Sequence, residues 1–361
     1  MTVAEELRAR IRREGPLPFH DIMATALAAY YARGPDIGAP GGDFSTSVKF
    51  PEFQKAIRAL VASTPPEWRV VELGAGTGEL ARACAGLGRE YVTVDASPAL
   101  RARQLEAGAG RAVASMADLA PAPSLVLANE FLDALPVRRV VGGADGELLE
   151  VCVDVKEAGS RKGEAGAGSG SEGKQDRAFL PYGIPAPASS FPLPSSSFRE
   201  RLLPLRDERV RERLAREGVR PARGQVFDVA PALEEAVRAA ARLADPGWLV
   251  LVDYGDRAPD LYAPTRLNGT LAVYKAHGKW HDPYEEIGER DITADVDFTA
   301  VEHATREAGM EPLGLVSQQR FLEALGADPD DVVVRAQGLG SAFWVFAATR
   351  GTSHRPAGFD G

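Results

Sequence analysis

The stretch Val70-Val71-Glu72-Leu73-Gly74-Ala75-Gly76-Thr77-Gly78 sets three glycines on alternate residues behind an acidic one, where a strand pattern gives way to a helical one. Residues without a Cβ permit a tight turn and let a ligand approach the backbone closely. A dinucleotide-binding turn uses the same logic, but its fingerprint puts the third glycine where this chain has Glu79. Asp95 ends the next apolar strand, 17 residues after Gly78, where a carboxylate can accept hydrogen bonds from both hydroxyls of a ribose. Ser115 and Met116, after the third strand, fall where an adenine would be met. Glu130 and Asp133 are three residues apart. On a helical turn they share one side, able to hold a cationic nitrogen and to take up a proton. Each feature also has a purely structural use: a connecting turn, a strand-end cap, or a helix cap beside a surface ion pair.

The elements that must position these residues follow from apolar periodicity. RVVELG, YVTVDA, RAVASM and SLVLANE read as strands separated by helices starting at Glu79 and Pro98, a βαβ pattern that predicts a parallel sheet. Ser97 before Pro98 has the composition of an N-cap and first helical residue. Beyond Pro136, the segments PVRRVVGG and ELLEVCVDV around Asp145-Gly146 predict an inserted hairpin. A flexible surface loop is expected over 157–176 and a helix over 197–217. QVFDVA, a helix over 231–243 and the strand WLVLVDYG then return the chain to the sheet. Residues 256–293, rich in Gly, Pro and aromatics, predict a long ordered loop over a site. Asp297 can cap a helix reaching Gly309, and EPLGLVSQ and SAFWVFAATR supply the last strands. The expected organisation is a helical leader with a glycine-rich loop (1–64), the first half of a sheet domain (65–136), an insertion (137–225), a second half carrying the lid (226–350) and a tail (351–361).

Composition limits the alternatives. The 361 residues are 45% hydrophobic and 26% charged, which suits a folded globular protein. With 42 basic against 51 acidic side chains, the positive coat that nucleic-acid backbones require is missing. Two cysteines, Cys84 and Cys152, exclude a disulfide framework and favour a reducing compartment. No stretch approaches the roughly 20 apolar residues of a membrane span, and the acidic N-terminal residues are unlike a targeting segment. A cytoplasmic location is therefore expected. His277, His281 and Asp282 lack a helical face or a cysteine partner, and no metal is expected there.

Taken together, VELGAGTGEL, VDASPALRARQ, ANEFLDALPV, LVDYG, NGTL and DITADVDFTA, with GPLPFHDIM and GGDFSTS, resemble the MidA-like family of methyltransferases over about Gly15 to Gly326. The resemblance implies an α/β class I methyltransferase fold: a mostly parallel seven-stranded sheet with helices on both faces and an added hairpin and lid. It implies S-adenosyl-L-methionine as cofactor and symmetric dimethylation of an arginine on an acceptor protein, and the family's mitochondrial member assists respiratory complex I assembly. By position, Glu72, Gly74, Gly76, Gly78, Asp95, Ser115, Met116 and Asn129 would hold the cofactor, and Glu130 and Asp133 would be catalytic. Gly42, Asp43, Phe44 and Thr46 match the family's GDF-x-T loop, while Tyr254 and His277 would line the substrate side and lid. Three departures stand out: Val48-Lys49 where the family has proline and glutamate, Asp295 where it often has histidine, and Asp95 where many members have glutamate. A small-molecule methyltransferase and a cofactor-binding assembly factor with little turnover are the competing readings.

Overall fold

The computed structural model describes residues 1–35, 46–156, 179–180, 184–185, 197–275, 278–280 and 282–359. Helices α1 (Val3–Glu14), α2 (Phe19–Ala32) and α3 (Pro51–Ser63) precede the first sheet strand. Thr2 and Glu5 close a capping box at α1. Then come β1 (Arg69–Leu73), α4 (Glu79–Ala83), β2 (Tyr91–Val94), α5 (Pro98–Glu106), β3 (Arg111–Val113) and β4 (Ala122–Asn129). Ser97 caps α5 by accepting from the Leu100 amide, with Pro98 in the first turn.

The chain next builds an antiparallel sheet from β5 (Arg138–Gly142), β6 (Leu148–Val155), β7 (Phe198–Pro204) and β8 (Val226–Val229), with α6 (Glu208–Arg216) before β8. After α7 (Leu233–Leu243), β9 (Ala244–Asp253) and α8 (Ala258–Leu261), a small antiparallel patch follows: β10 (Ala272–Lys275) between β11 (Gly278–Trp280) and β12 (Asp291–Thr293). Helix α9 (Phe298–Glu307), β13 (Glu311–Ser317), α10 (Gln318–Ala324) and β14 (Trp344–Arg350) complete it. The fold is α/β.

The larger sheet runs β13-β14-β9-β4-β1-β2-β3. β9, β4, β1, β2 and β3 are mutually parallel, whereas β14 is antiparallel to both of its neighbours. Successive strand residues face opposite sides, so Val70, Leu125 and Val250 pack under α3 and α10, while Val71, Val126 and Leu249 pack under α7 and α9. Burial on both faces explains why these strands read as unbroken apolar runs. Helices α1 and α2 pack instead on the antiparallel sheet, where Leu7, Phe19 and Met23 share a core with Val151 and Val153.

Two expectations change. The helix expected over 197–217 begins as a strand: β7 pairs with β6 from Phe198↔Val155 to Pro204↔Leu149, and only Glu208–Arg216 is helical. Pairing with a ready edge outweighs the helix propensity of Arg and Glu, and Pro204 ends the run. Within 256–293, where one long loop was expected, the chain folds α8 and the β10–β12 patch. The loop expected over 157–176 lies outside the described residues.

The insertion is tied to the sheet domain through α6, whose Val210 and Leu214 share a core with Phe227 and Tyr262. Just past α6, the buried carboxyl of Glu217 faces that of Asp297, which caps α9 by accepting from the Thr299 and Ala300 amides. Arg213, Arg216 and the Tyr262 hydroxyl surround the pair. Burial and the Asp297 charge push Glu217 up to about 9, against roughly 4.3 for an unfolded glutamate. The folded state thus prefers the protonated acid. Its stabilisation is complete below about pH 4.3, declines as pH rises and is gone above about 9. Glu217→Gln, which keeps the site neutral, should raise the melting temperature at pH 8 by several degrees more than at pH 5. Scanning calorimetry at both pH values checks this, and an equal shift at both would contradict it.

Candidate active site

A cavity of about 590 Å³ opens where β1, β2, β3 and β4 end, the place where an open α/β sheet presents ligands. Gly74 and Gly76 line it with left-handed backbone, φ 64 and 51. A Cβ on Gly74 would meet the Phe131 ring at 2.8 Å. Gly78 does not line the cavity. Its missing side chain lets α4 pass α5, since a Cβ there would lie 2.6 Å from that of Ala107. Glu72 lines the wall but turns Oε2 to the Tyr91 hydroxyl at 2.8 Å, and burial pushes it up to about 8.

At the end of β2, Asp95 accepts from the Ser97 amide at 2.8 Å and from Gln104 Nε2 at 3.0 Å. Gln104 also donates to the Gly76 carbonyl, tying the glycine loop to Asp95. Each carboxylate oxygen keeps a lone pair for a ribose hydroxyl. Ala114, Ser115 and Met116 form the next stretch of wall, with Ser115 capping the short turn that follows. Helix α2 forms a further wall through Leu27, Ala28, Tyr31 and Ala32, and the Ser97 hydroxyl donates to the Tyr31 carbonyl at 2.8 Å.

The end of β4 carries the most constrained residues. Glu130 has φ 49, a left-handed conformation that costs a non-glycine residue of order 1–3 kcal/mol. Its Oε1 accepts from Thr46 Oγ1 at 2.6 Å, Asn129 Nδ2 at 2.9 Å and the Ser47 amide at 3.3 Å. Burial pushes Glu130 up, while those donors and Tyr254 pull it back. Asn129 Oδ1 is buried on the cavity wall and has no partner among the described residues. An unsatisfied acceptor there suits a ligand rich in donors.

Asp253, at the end of β9, holds this turn from behind. Its Oδ2 accepts from the Phe131, Leu132 and Asp133 amides at 3.3, 2.9 and 3.3 Å, and Oδ1 accepts from the Tyr254 amide at 2.9 Å. Asp133 sits beyond the cavity wall, fully buried and raised well above the usual carboxylate range by burial and by Asp253, Glu130 and Asp291. Asp291 accepts from the Tyr31 hydroxyl at 3.0 Å, so α2 serves both the cavity and the acid cluster. Tyr254 stacks on Phe343, ring centroids 4.0 Å apart, with its hydroxyl pushed up by burial and by Glu130.

Asp253 and Asp291 were not singled out in the sequence, although both lie inside noted motifs, LVDYG and DITADVDF. For Asp253 the available signal was a carboxylate at the end of a strand beside β4, whereas Asp291 opens β12 in the separate antiparallel patch and carried no such signal. Gly42, Asp43, Phe44, His277 and His281 lie outside the described residues. Two departures from the family pattern acquire partners. Asp295 pairs with Arg266 at 3.1 Å, and Lys49 pairs with Glu79.

A family model describing S-adenosyl-L-methionine-dependent methyltransferases matches residues 53–316, well over half of the chain. The chain belongs to this family. The methyltransferase is similar over 99% of its length to a Burkholderia thailandensis structure solved with S-adenosyl-homocysteine bound, at 29% identity, a TM-score of 0.78 and 94% coverage of that chain. Among curated proteins it is 28% identical to the mitochondrial protein arginine methyltransferase NDUFAF7 homolog of Drosophila melanogaster, covering 90% of this chain and 75% of that one. The corresponding figures for the mitochondrial Danio rerio protein arginine methyltransferase NDUFAF7 are 26%, 91% and 77%. These names overturn the cytoplasmic expectation, because they point to mitochondria. Cys84 and Cys152 are free and buried, and reduced thiols do not distinguish one reducing compartment from another. No helix among the described residues is long and apolar enough to cross a membrane.

S-adenosyl-L-methionine is the cofactor, and the cavity fits it: a carboxylate for the ribose, glycines for close approach and an orphaned amide oxygen at the inner end. Asp95→Ala should weaken S-adenosylhomocysteine binding in titration calorimetry by about ten- to a hundredfold, since each hydrogen bond to a charged acceptor contributes roughly 1.5–3 kcal/mol. Unchanged affinity would remove Asp95 from the ribose.

Proposed function

We propose that this methyltransferase acts on an arginine presented by another protein, with the symmetric dimethyl product that the family resemblance implies. The observation carrying the reading is a cluster of four carboxyls: Glu130 on the wall of the cofactor cavity, with the buried Asp133, Asp253 and Asp291 behind it. Crowded carboxyls raise one another's proton affinity, and a planar guanidinium brought beside Glu130 relieves that crowding with donors in several directions. The arginine methyltransferase names of the fly and fish relatives support the same substrate. We read the seven-stranded sheet as a class I methyltransferase platform, with 65–136 and 226–350 as its halves, 137–225 as the insertion, 1–64 as the leader and 256–293 as the lid.

When bound, S-adenosylmethionine supplies an electrophilic methyl group on a sulfonium. The chain's own residues hold the acceptor and manage its proton. Glu130, fixed by Thr46, Ser47 and Asn129, orients the guanidinium. Asp133 lacks such a set of donors and is easily protonated among its like-charged neighbours, so it takes the proton the nitrogen must lose. Tyr31, Tyr254 and Tyr274 frame the cluster and keep water from it. Thr46, with the loop carrying Gly42, Asp43 and Phe44, would form the entrance, and His277 part of the lid.

Incubation with S-adenosylmethionine and a library of arginine-containing peptides, read by mass spectrometry, tests the substrate. Methylated arginine is expected, and methyl transfer confined to other residues or to small amines would overturn the reading. Glu130→Gln should lower kcat by roughly 10²–10⁴ while S-adenosylhomocysteine still binds. A base must be ionised to act, so kcat/KM should rise with pH through the titration of Asp133, which burial and then the Asp253 charge hold well above the usual carboxylate range. Asp253→Asn removes a neighbouring negative charge and should move that rise to lower pH, while an unmoved profile would take Asp133 out of the base role.

A further inference from the structure

The acidic residue before the glycines, Glu72, is the one the motif assigns to the cofactor's amino-acid end, yet its geometry does not suit an ammonium partner. It is 3% exposed, one oxygen is taken by the Tyr91 hydroxyl, and it is surrounded by apolar strand residues. A neutral acid in such a place attracts a cation weakly. A second carboxylate lies on the same wall. Glu79 opens α4, lines the cavity beside Gly76, and stands where a dinucleotide turn would have glycine.

Its partners are unusual. Lys49 Nζ and Thr77 Oγ1 both donate to Glu79 Oε1, and Lys49 also reaches Thr77 Oγ1 at 3.3 Å. Oε2 has no hydrogen-bond partner among the described residues. Glu79 lines the cavity, whereas Lys49 and Thr77 do not. One oxygen is thus held by a cation and a hydroxyl behind the wall, which leaves the other available to a ligand in front of it.

We infer that Glu79, and not Glu72, receives the α-ammonium of the cofactor's methionine moiety, with Lys49 and Thr77 as positioning residues that aim it. Lys49 balances the Glu79 charge in the empty protein, and the zwitterionic amino-acid end of the ligand meets a carboxylate already oriented. The Val48-Lys49 departure then has a purpose: the lysine is matched to this chain's Glu79. The assignment rests on the cofactor cavity described above.

Two ligands separate the ends of the cofactor. S-adenosylhomocysteine carries the ammonium, and 5′-methylthioadenosine has the same adenosyl thioether without it. In titration calorimetry at pH 7, Glu79→Gln should weaken S-adenosylhomocysteine at least tenfold and leave 5′-methylthioadenosine within twofold. Lys49→Met should show the same selectivity to a smaller extent, and Glu72→Gln should not separate the two ligands. The inference is overturned if Glu79→Gln leaves S-adenosylhomocysteine within twofold, if it weakens both ligands equally, or if the selective loss belongs to Glu72→Gln. Failure of the wild-type protein to bind either ligand would sink the cofactor cavity itself and the inference with it.

Discussion

Four backbone amides converge on the carboxylate of Asp253, and the reactive edge of the sheet depends on that convergence. Three of them come from the turn after β4, so the tight backbone that brings Glu130 into a left-handed conformation is held from the neighbouring strand. Buried amides without acceptors cost about 1–3 kcal/mol each, which is comparable to the strain they offset at Glu130. A single side chain at the end of β9 therefore links backbone geometry to the electrostatics of the acid cluster, because its charge also raises Asp133. Shape and proton affinity at this site are not independently adjustable.

The N-terminal helices bind the two halves of the site together. Tyr31 sits on the cofactor wall, accepts at its carbonyl from Ser97 beside Asp95 and donates its hydroxyl to Asp291 in the acid cluster. Helix α2 is in turn packed against the inserted antiparallel sheet through Phe19 and Met23. The insertion thus contributes to the cavity indirectly, by supporting the helix that closes it.

Much of this was legible in the residues. The βαβ alternation, the glycine turn, Asp95 and the ANEFLDALP segment all depend on local pattern, and local pattern is what a strand, a cap or a glycine turn needs. The features that escaped depend on partners distant in sequence. Residues 198–204 have a helix-forming composition and became a strand because β6 offers an edge. Asp253 looks like an ordinary acid at the end of a strand and Asp291 like one at the start of a strand until the folded chain brings them to Glu130 and Asp133. Glu72 reads as a cofactor contact from its motif and does line the cavity, but the motif gives no sign that Tyr91 on the adjacent strand takes one of its oxygens. Cysteine usage reported a reducing environment and nothing finer, so the compartment came from relatives and not from chemistry.

The Lys49–Glu79 pair spans two segments far apart in the chain, the one after the GDF-x-T loop and the glycine turn. The family resemblance leads one to expect a glutamate at position 49. A glutamate at 49 would set two carboxylates against each other beside Thr77, and removing the Glu79 carboxylate alone would leave the lysine with only the Thr77 hydroxyl. The two segments are matched to each other through this pair, so a change of charge at either one resets the electrostatics of the cavity wall at the other.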